Sequence, residues 1–560
     1  MKELKWYLVV IVCQMLSVWL PTGALATTIP AGVGPKALAV NPVTNKVYVA
    51  NYGYYPGEVT VIDRGNNTTS TVPAGLSPTA VAVNPVTNNI YVANYDGNSV
   101  TVINGATDTV LATVIDPNVI GPIGPAAIAV NPETNKVYIG NYKSRNVTVI
   151  DGATNTVTAT VSLLNTAGVG VVPLMGMAVN PVTNKVYVTN YNDNSVTVID
   201  GTTDLPLKVP VGDSPFAVAV NPVTNKLYVS NTKSATVKVI DGVNNTVTAT
   251  VSVGSNPQAV AVNPVTNRIY VVNFESIGTV TVIDGATNAT TSVAVGTAPV
   301  AVMVNPMSNK VYIANENSND VTVIDGATNL TTTIASGTNP WAVAVNVITN
   351  EVYVANNFSN DVTVIAEMPV PVSPLPTIIT PLSGNTTSST TPAFNMTATS
   401  SPGWPIVRHI YYQVDTKQGA WLTATPVGGS FSGTTPPLTS GYHTLYAFAT
   451  DGNDATSINT GSQSSPLIGA ITSYSFFVGG APSTLKGDVN NDYIVNVFDA
   501  LLTLQYAVGL IAHTPANDAM YLFFADVAPL NASGKPMGDS VVNVFDALAI
   551  LRHAVGLDPW

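Results

Sequence analysis

The string Asn180-Pro181-Val182-Thr183-Asn184-Lys185-Val186-Tyr187-Val188-Thr189-Asn190 is one of eight close copies along this chain. Its opening Asn-Pro recurs at Asn41, Asn84, Asn131, Asn221, Asn263 and Asn305, and in the eighth copy Asn346 precedes Val347 in place of proline. Successive asparagines are 43, 47, 49, 41, 42, 42 and 41 residues apart. A period of about 40–45 residues holding several short strands is that of propeller blades. One such unit leaves sheet edges and an apolar face uncovered, so it must stack radially on its neighbours.

Within the copy near Pro257, Ala259-Val260-Ala261-Val262 is a short apolar run, the pattern of a buried inner strand. Asn263-Pro264-Val265-Thr266-Asn267 turns the chain: proline presets φ, and asparagine tolerates the left-handed conformation. Arg268-Ile269-Tyr270-Val271-Val272 supplies a β-branched and aromatic second strand. The alternation in Thr279-Val280-Thr281-Val282-Ile283 predicts a half-buried third strand. Asp284-Gly285 marks the following hairpin turn, and residues 290–295 the outer strand. The last copy ends at Val362-Thr363-Val364-Ile365 and runs into Met368-Pro369 without an outer strand. At the other end, Thr27-Thr28-Ile29-Pro30-Ala31-Gly32 matches Ser70-Thr71-Val72-Pro73-Ala74-Gly75, which ends the first copy. The N-terminal stretch is therefore expected to complete the last blade and close a ring of eight, seven being the other count to weigh.

The segment Tyr187-Val188-Thr189-Asn190, set in repeats of the form Asn-Pro-x-Thr-Asn-Lys-x-Tyr-Val-x-Asn, resembles the YVTN-family β-propellers of bacterial and archaeal surface proteins. The resemblance covers residues 27–366 and implies extracellular display, with no ligand specified. Such propellers more often have seven blades, so eight copies depart from the family's habit.

Composition narrows the function. The chain is 46% hydrophobic yet only 9% charged, against about 25% charged in ordinary domains, so Asn, Thr, Ser and Gly must carry its solubility. A net charge of -12 with no basic run argues against a nucleic-acid partner. Lys2 and Lys5 before an apolar run over 6–20, with Ala24-Leu25-Ala26 behind it, read as a signal peptide over 1–26 and a secreted, extracellular or cell-surface protein. A retained membrane anchor is the alternative. The one cysteine, Cys13, falls inside that run, so a processed chain has neither disulfides nor thiolate chemistry.

All four histidines (His409, His443, His513, His553) lie outside the repeats. No catalytic residue is assigned there. Binding is the better expectation, because the copies diverge around a uniform frame. The position before each inner run reads Lys36, Thr79, Ala126, Met175, Phe216, Gln258, Val300 and Trp341. An aromatic follows the second strand at Tyr52, Tyr95, Tyr142, Tyr191 and Phe274, with Tyr54 and Tyr55 beside the first. In propellers these two loops share one face. Tyr52, Tyr95, Tyr142, Tyr191, Phe216, Phe274 and Trp341 are thus candidate contacts for a glycan or a surface protein, or else rings that cap their own blades. The asparagine ending each second strand (Asn51, Asn94, Asn141, Asn190, Asn231, Asn273, Asn315, Asn356) is expected to bond its own loop's backbone.

A proline-rich linker over 367–376 leads to a Ser/Thr-rich segment, 377–480. Its strand-like runs, such as His409-Ile410-Tyr411-Tyr412-Gln413-Val414, and the corner Leu438-Thr439-Ser440-Gly441-Tyr442-His443 resemble bacterial Ig-like or fibronectin-like sandwiches. The two histidines here are expected to be ordinary strand residues. After a short linker, 481–486, residues 487–560 carry a calcium-loop spacing. Asp488, Asn490, Asp492, Ile494 (by its carbonyl), Asn496 and Asp499 occupy positions 1, 3, 5, 7, 9 and 12 of an EF-hand-type loop. A helix with Leu501, Leu504 and Val508 on one face is expected to follow.

Asn543-Val544-Phe545-Asp546-Ala547-Leu548 repeats Asn496-Val497-Phe498-Asp499-Ala500-Leu501. Duplicated calcium loops, each with one helix, resemble dockerins, small α-helical modules that bind cohesins. The resemblance implies a second Ca²⁺ site from Asp526, Asp539, Asn543 and Asp546, and cohesin contacts at Val497, Phe498, Val544 and Phe545. Tyr493 stands where such loops usually carry glycine, and the second loop is stretched by an insertion. Together these features describe a mainly β protein: propeller, then sandwich, then calcium-binding tail. The expected function is non-catalytic surface display or adhesion, held by a cohesin partner. The alternative is a subunit of an extracellular polysaccharide-degrading complex.

Overall fold

The computed structural model describes residues 25–478, apart from 43, 54–55, 85–86, 164–173, 368–374, 401–405, 417–420, 452–457, 460–461, 464–467 and 470, together with 503–504 and 550. The signal-peptide segment before Leu25 and every calcium and cohesin residue from Asp488 to Asp546 lie outside the described residues.

Residues 25–366 build eight antiparallel four-stranded units, seven of them in consecutive strand order; the unit of Pro257–Asn263 is extended at its inner edge by Ser462–Gln463 and Ile458–Asn459. The inner strands are Pro35–Asn41, Pro78–Asn84, Pro125–Asn131, Leu174–Asn180, Pro215–Asn221, Pro257–Asn263, Pro299–Asn305 and Pro340–Asn346. Each packs beside the next, and the last packs beside the first. This is a β-propeller, with blades numbered here from the blade that begins at Pro35. Blade 8 has three strands of its own. Its outer strand is Leu25–Pro30, paired with Asp361–Ala366 so that Thr28 faces Thr363 and Ile29 faces Val362. The N-terminal stretch therefore closes the ring, as the orphan strand predicted.

Eight tyrosines, one per second strand (Tyr48, Tyr91, Tyr138, Tyr187, Tyr228, Tyr270, Tyr312, Tyr353), are wholly buried. Burial pushes the phenols of Tyr91 and Tyr228 up to about 12, so they act as neutral wedges. The third strand is not half-buried as its alternation predicts. In Thr279–Asp284, Val280 and Ile283 are fully covered and Thr281 is 5% exposed. Neighbouring blades cover both faces of this strand, and its threonine is satisfied by a side-chain amide. The half-exposed strand is instead the outer one, Thr290–Ala294, where only Val293 is buried.

The Asp-Gly turn also differs in mechanism from the short hairpin expected. The carboxylate of Asp284 accepts the N–H groups of Ala286 and Thr287, and Asn288 takes the positive φ of 61°. Gly285 is there for space: a Cβ would come within 2.3 Å of Asn267 Oδ1.

The recurrent Asn-Pro joins the blades. Each of these asparagines uses Oδ1 to cap its own turn, as Asn180 does for the N–H of Val182, and donates Nδ2 to the next blade. Asn41 donates to Asn88, Asn84 to Asn135, Asn131 to Asn184 and Asn180 to Asn225. Asn221 donates to Asn267, Asn263 to Asn309, Asn305 to Asn350 and, across the closure, Asn346 to Asn45. The acceptor asparagines all have positive φ between 51° and 58°, which is why asparagine fits both the backbone and the bond. Eight such bonds make a closed circle, each contributing about 1 kcal/mol.

A second circle of cations runs beside it. Lys46 reaches Asp108 and the Gly105 carbonyl, Lys136 reaches Asp204, and Lys185 and Lys226 reach the carbonyls of Gly242 and Gly285. At the closing seam the polarity is inverted: Glu351 stands at the lysine position and pairs with Arg64 of blade 1 at 2.6 Å. That inversion is visible in the sequence as the one acidic residue at this position.

Residues 377–478 form two sheets around one core that includes Leu375, Phe394, Met396, Ile410, Leu445 and Phe476. The central strands His409–Val414 and Gly441–Thr450 are apolar on both faces. Ile410, Tyr412, Leu445 and Ala447 enter the sandwich core. Tyr411 and Phe448, with Trp421 and Ile468, join the cluster of blades 1, 2, 7 and 8. Val265 and Met307, from Asn-Pro turns, pack on the sandwich core, and His409 Nε2 lies 3.2 Å from Glu133 in the turn of blade 3. The sandwich thus covers the propeller face that carries the Asn-Pro turns. Its hairpin Ile458–Asn459 and Ser462–Gln463 lies against inner strands of several blades and pairs with Val260.

Neither histidine is an ordinary strand residue. His409 bridges the two units, and His443 bonds Asp415 through Nδ1 at 2.6 Å and the Thr439 carbonyl through Nε2 at 2.9 Å.

Candidate functional site

The face opposite the sandwich is built from the two variable loops of each blade. Backbone bonds tie them together: the N–H groups of Tyr52, Tyr95, Tyr142 and Phe274 donate to the carbonyls of Gly34, Ser77, Gly124 and Asn256. The residue at the entry is left-handed in each case, for example Gly34 at φ 66° and Ser77 at 54°. It precedes the proline that starts the inner strand. One or two residues later the pairing register slips, as between Pro35 and Ala37 or between Pro340 and Ala342. The variable position is therefore a β-bulge. A bulge re-aims a side chain out of the ladder, which frees Lys36, Thr79, Phe216 and Trp341 from the packing that fixes their neighbours. These four are half-buried between fully buried residues.

Every predicted ligand residue falls on this face, and all are half-buried. Most meet in pairs across seams between blades. Trp341 of blade 8 and Tyr52 of blade 1 flank Lys36, whose Nζ lies 6.0 Å and 4.1 Å from their ring centres. Tyr95 and Tyr142 join blades 2 and 3 at 6.0 Å, with the Lys143 ammonium 4.3 Å over Tyr95. Tyr191 and Phe216 join blades 4 and 5 edge-to-face at 6.4 Å, with Lys233 at 5.9 Å from Tyr191. Phe274 belongs to no such pair among the described residues. Tyr54 and Tyr55 lie outside the described residues, as does the side chain of Met175.

Of the three lysines only Lys36 stands at one of the variable positions before the inner strands; Lys143 and Lys233 lie in the loops that follow the second strands. Their signal is a cationic residue beside or one blade from each aromatic position. Burial pulls the Lys36 ammonium below its usual pKa. Asp96, which pairs with Lys143, is held below the usual carboxylate range by bonds from Ser77 and Lys143.

Of the asparagines that end the second strands, Asn231 bonds backbone groups as expected, those of Gly212, Val229 and Thr236, whereas others bond side chains instead. Asn94 Nδ2 donates to Ser99 and Thr101, and Asn190 Nδ2 to Ser195 and Thr197, all hydroxyls of the third strand in the same blade. They lie buried beneath the loops and hold the blade tip together, so the ring of eight amides is structural.

Among the described residues no three His, Cys, Asp or Glu side chains gather as a metal site. No helix among them is long and apolar enough to cross a membrane. The side chains on the mouth can therefore stack on flat rings and offer charge, an arrangement suited to recognition.

Neither a family model nor a curated protein matches the chain. Among solved structures that match is hydrazine synthase from Kuenenia stuttgartiensis, at 20% identity over 52% of this chain and 95% of that one, with a TM-score of 0.43. The reading of the fold rests on the strand pairings and ring contacts given above, independent of that likeness.

Proposed function

We propose that this is a non-catalytic extracellular binding protein that presents the open face of its propeller to a glycan or a surface protein. The observation that carries the reading is the set of three aromatic seams on the face left open, while the sandwich occupies the other. Rigid aromatic rings give large contact area at low conformational cost, and they stand on a frame fixed by eight interlocked blades.

The rest of the chain serves attachment. Residues 1–26 direct export, 27–366 form a YVTN-type propeller, and 377–480 form an Ig-like or fibronectin-like spacer behind the 367–376 linker. Beyond 481–486, residues 487–560 act as a dockerin-like tail that binds a cohesin when loaded with Ca²⁺ at one or two loops. Calorimetry of the intact protein against its Asp488→Ala/Asp499→Ala variant reads the tail directly. Loss of a Ca²⁺-binding event in the variant is expected, and calcium uptake identical in both proteins would overturn the loop assignment.

The open face is tested by replacing Tyr52, Tyr95, Tyr142 and Tyr191 together with alanine. Retention on a panel of immobilised polysaccharides and envelope fractions should fall to background, and unchanged retention would sink the reading. Release of reducing ends from any polysaccharide in the same panel would favour instead a subunit of a polysaccharide-degrading complex.

A further inference from the structure

The propeller contains ten lysines, and eight of them are held by oxygen acceptors of the fold. Lys36 and Lys233 are the exceptions: among the described residues their ammonium groups have only aromatic rings beside them. Lys36 is half-buried beside its rings and Lys233 is exposed beside Tyr191; an ammonium beside rings, with no carboxylate to neutralise it, is an open position for an anion.

The arrangement around the ring gives the two lysines direction. The three aromatic seams lie between blades 8 and 1, 2 and 3, and 4 and 5, two blades apart each time. They follow one half of the mouth, with Lys36 and Lys233 at its ends and Lys143 in the middle. Of the carboxylates on the same arc, Asp96 is engaged by Lys143, Asp193 by Lys208 and Asp213 by Asn194, while Glu58 stands beside Gly32 at the start of the third strand of blade 1. The other half of the mouth carries Glu275 and Glu316, bonded to Ser255 and Asn339, with no aromatic pair among the described residues. The face is thus divided into an aromatic arc with open cations and an acidic arc without them.

Building on the binding role proposed above, we infer that the aromatic arc binds a linear anionic polysaccharide, one whose pyranose rings carry carboxylate or sulfate groups. The rings of Tyr52, Trp341, Tyr95, Tyr142, Tyr191 and Phe216 stack on sugar faces. Lys36 and Lys233 pair with the anionic substituents, and the acidic arc repels the same polymer and so sets the path it takes. Three spaced contacts on one polymer act as linked sites, so affinity rises with chain length until the arc is spanned.

Matched pairs of polymers that differ only in charge test this on the intact protein: polygalacturonate with its methyl ester, and carboxymethyl cellulose with methyl cellulose. At least one acidic member should bind about tenfold tighter than its neutral partner, and that margin should shrink as salt screens the charges. Lys36→Gln with Lys233→Gln should remove the margin between the acidic and the neutral member of a pair. Short oligosaccharides of the acidic polymer should bind more weakly than long ones.

Equal binding of acidic and neutral members, abolished by the four-tyrosine variant, would keep the glycan-binding role and overturn the charge inference. Retention of a surface protein alone, with no polymer of the panel held, would also overturn it. No binding by the open face to any probe would overturn both readings.

Discussion

The two faces of the propeller are made from the same eight repeats, yet one is nearly invariant and the other is not. On the covered face all eight seams carry the same Asn-to-Asn bond, from Asn41–Asn88 round to Asn346–Asn45. On the open face a comparable link, in which a left-handed asparagine accepts N–H groups of the next blade's entry loop, occurs among the described residues at four seams, through Asn98, Asn194, Asn319 and Asn360. Closing a ring requires one angle at every seam, and identical bonds at one rim impose it. The other rim is then free to vary. The bulged positions are where it does so.

The sharpest way to break this contrast is at the closure, where the repetition ends. Deleting residues 27–30, the part of the strand that lies beyond the proposed signal peptide, removes the partner of Asp361–Val364 and leaves blade 8 with an open edge. Size-exclusion and thermal scans should show loss of reversible unfolding and aggregation. A monodisperse protein of unchanged melting temperature would mean that the ring stays shut without it.

A paired truncation comes next. Tyr187→Ala opens a cavity at a wholly buried seam position and is expected to cost about 3–5 kcal/mol. The same change four residues on, at the half-buried Tyr191, should cost less than about 1 kcal/mol while weakening ligand retention. Chemical denaturation beside a binding assay separates the two. If Tyr191→Ala were the more destabilising, the open face would be a structural cap rather than a binding surface.

The inverted ion pair offers a third, smaller test. Glu351→Lys sets a cation against Arg64, 2.6 Å away in the native pair, and should cost about 2 kcal/mol. Adding Arg64→Glu should restore most of that loss. Failure of the double variant to recover would mean that packing at this seam, rather than charge, sets the closure.

Much of this was legible in the sequence, and the limits are instructive. Strand order, blade count and the closing strand follow from periodicity, because each strand pairs with a neighbour close in sequence. The link from Asn131 Nδ2 to Asn184 does not follow, since it joins identical motifs 53 residues apart and depends on the angle between blades. The buried Thr197 looked solvent-facing by alternation, yet it is covered by the next blade and bonded by Asn190. The run holding Tyr411 and Tyr412 was legible as a strand, but its two covered faces, one in the sandwich and one on the propeller, are not written in the run itself. Which surface covers them is a tertiary fact. Lys143 and Lys233 are not marked by the repeat alone, because each reaches an aromatic ring of the neighbouring blade, whereas Lys36 lies over Tyr52 of its own blade.

The smallest expected effect lies behind the covered face, where the two sandwich histidines behave differently. His409 meets Glu133 across the contact with the propeller, whereas His443 is tied within the sandwich to Asp415 and the Thr439 carbonyl. Burial alone would lower the His443 pKa, but the bonds to Asp415 and Thr439 outweigh it, and the net shift is upward. A histidine held above its unfolded value, about 6.5, contributes stability that is complete below that value and is lost as pH rises through the folded pKa. Wild-type sandwich unfolding should therefore shift to lower denaturant as pH climbs from slightly acid to slightly alkaline, and His443→Gln should flatten that trend. Tyrosine and tryptophan fluorescence, with Trp421 buried at the contact between the units, follows the transition. A slope retained in His443→Gln would overturn the assignment of the pH dependence to this histidine.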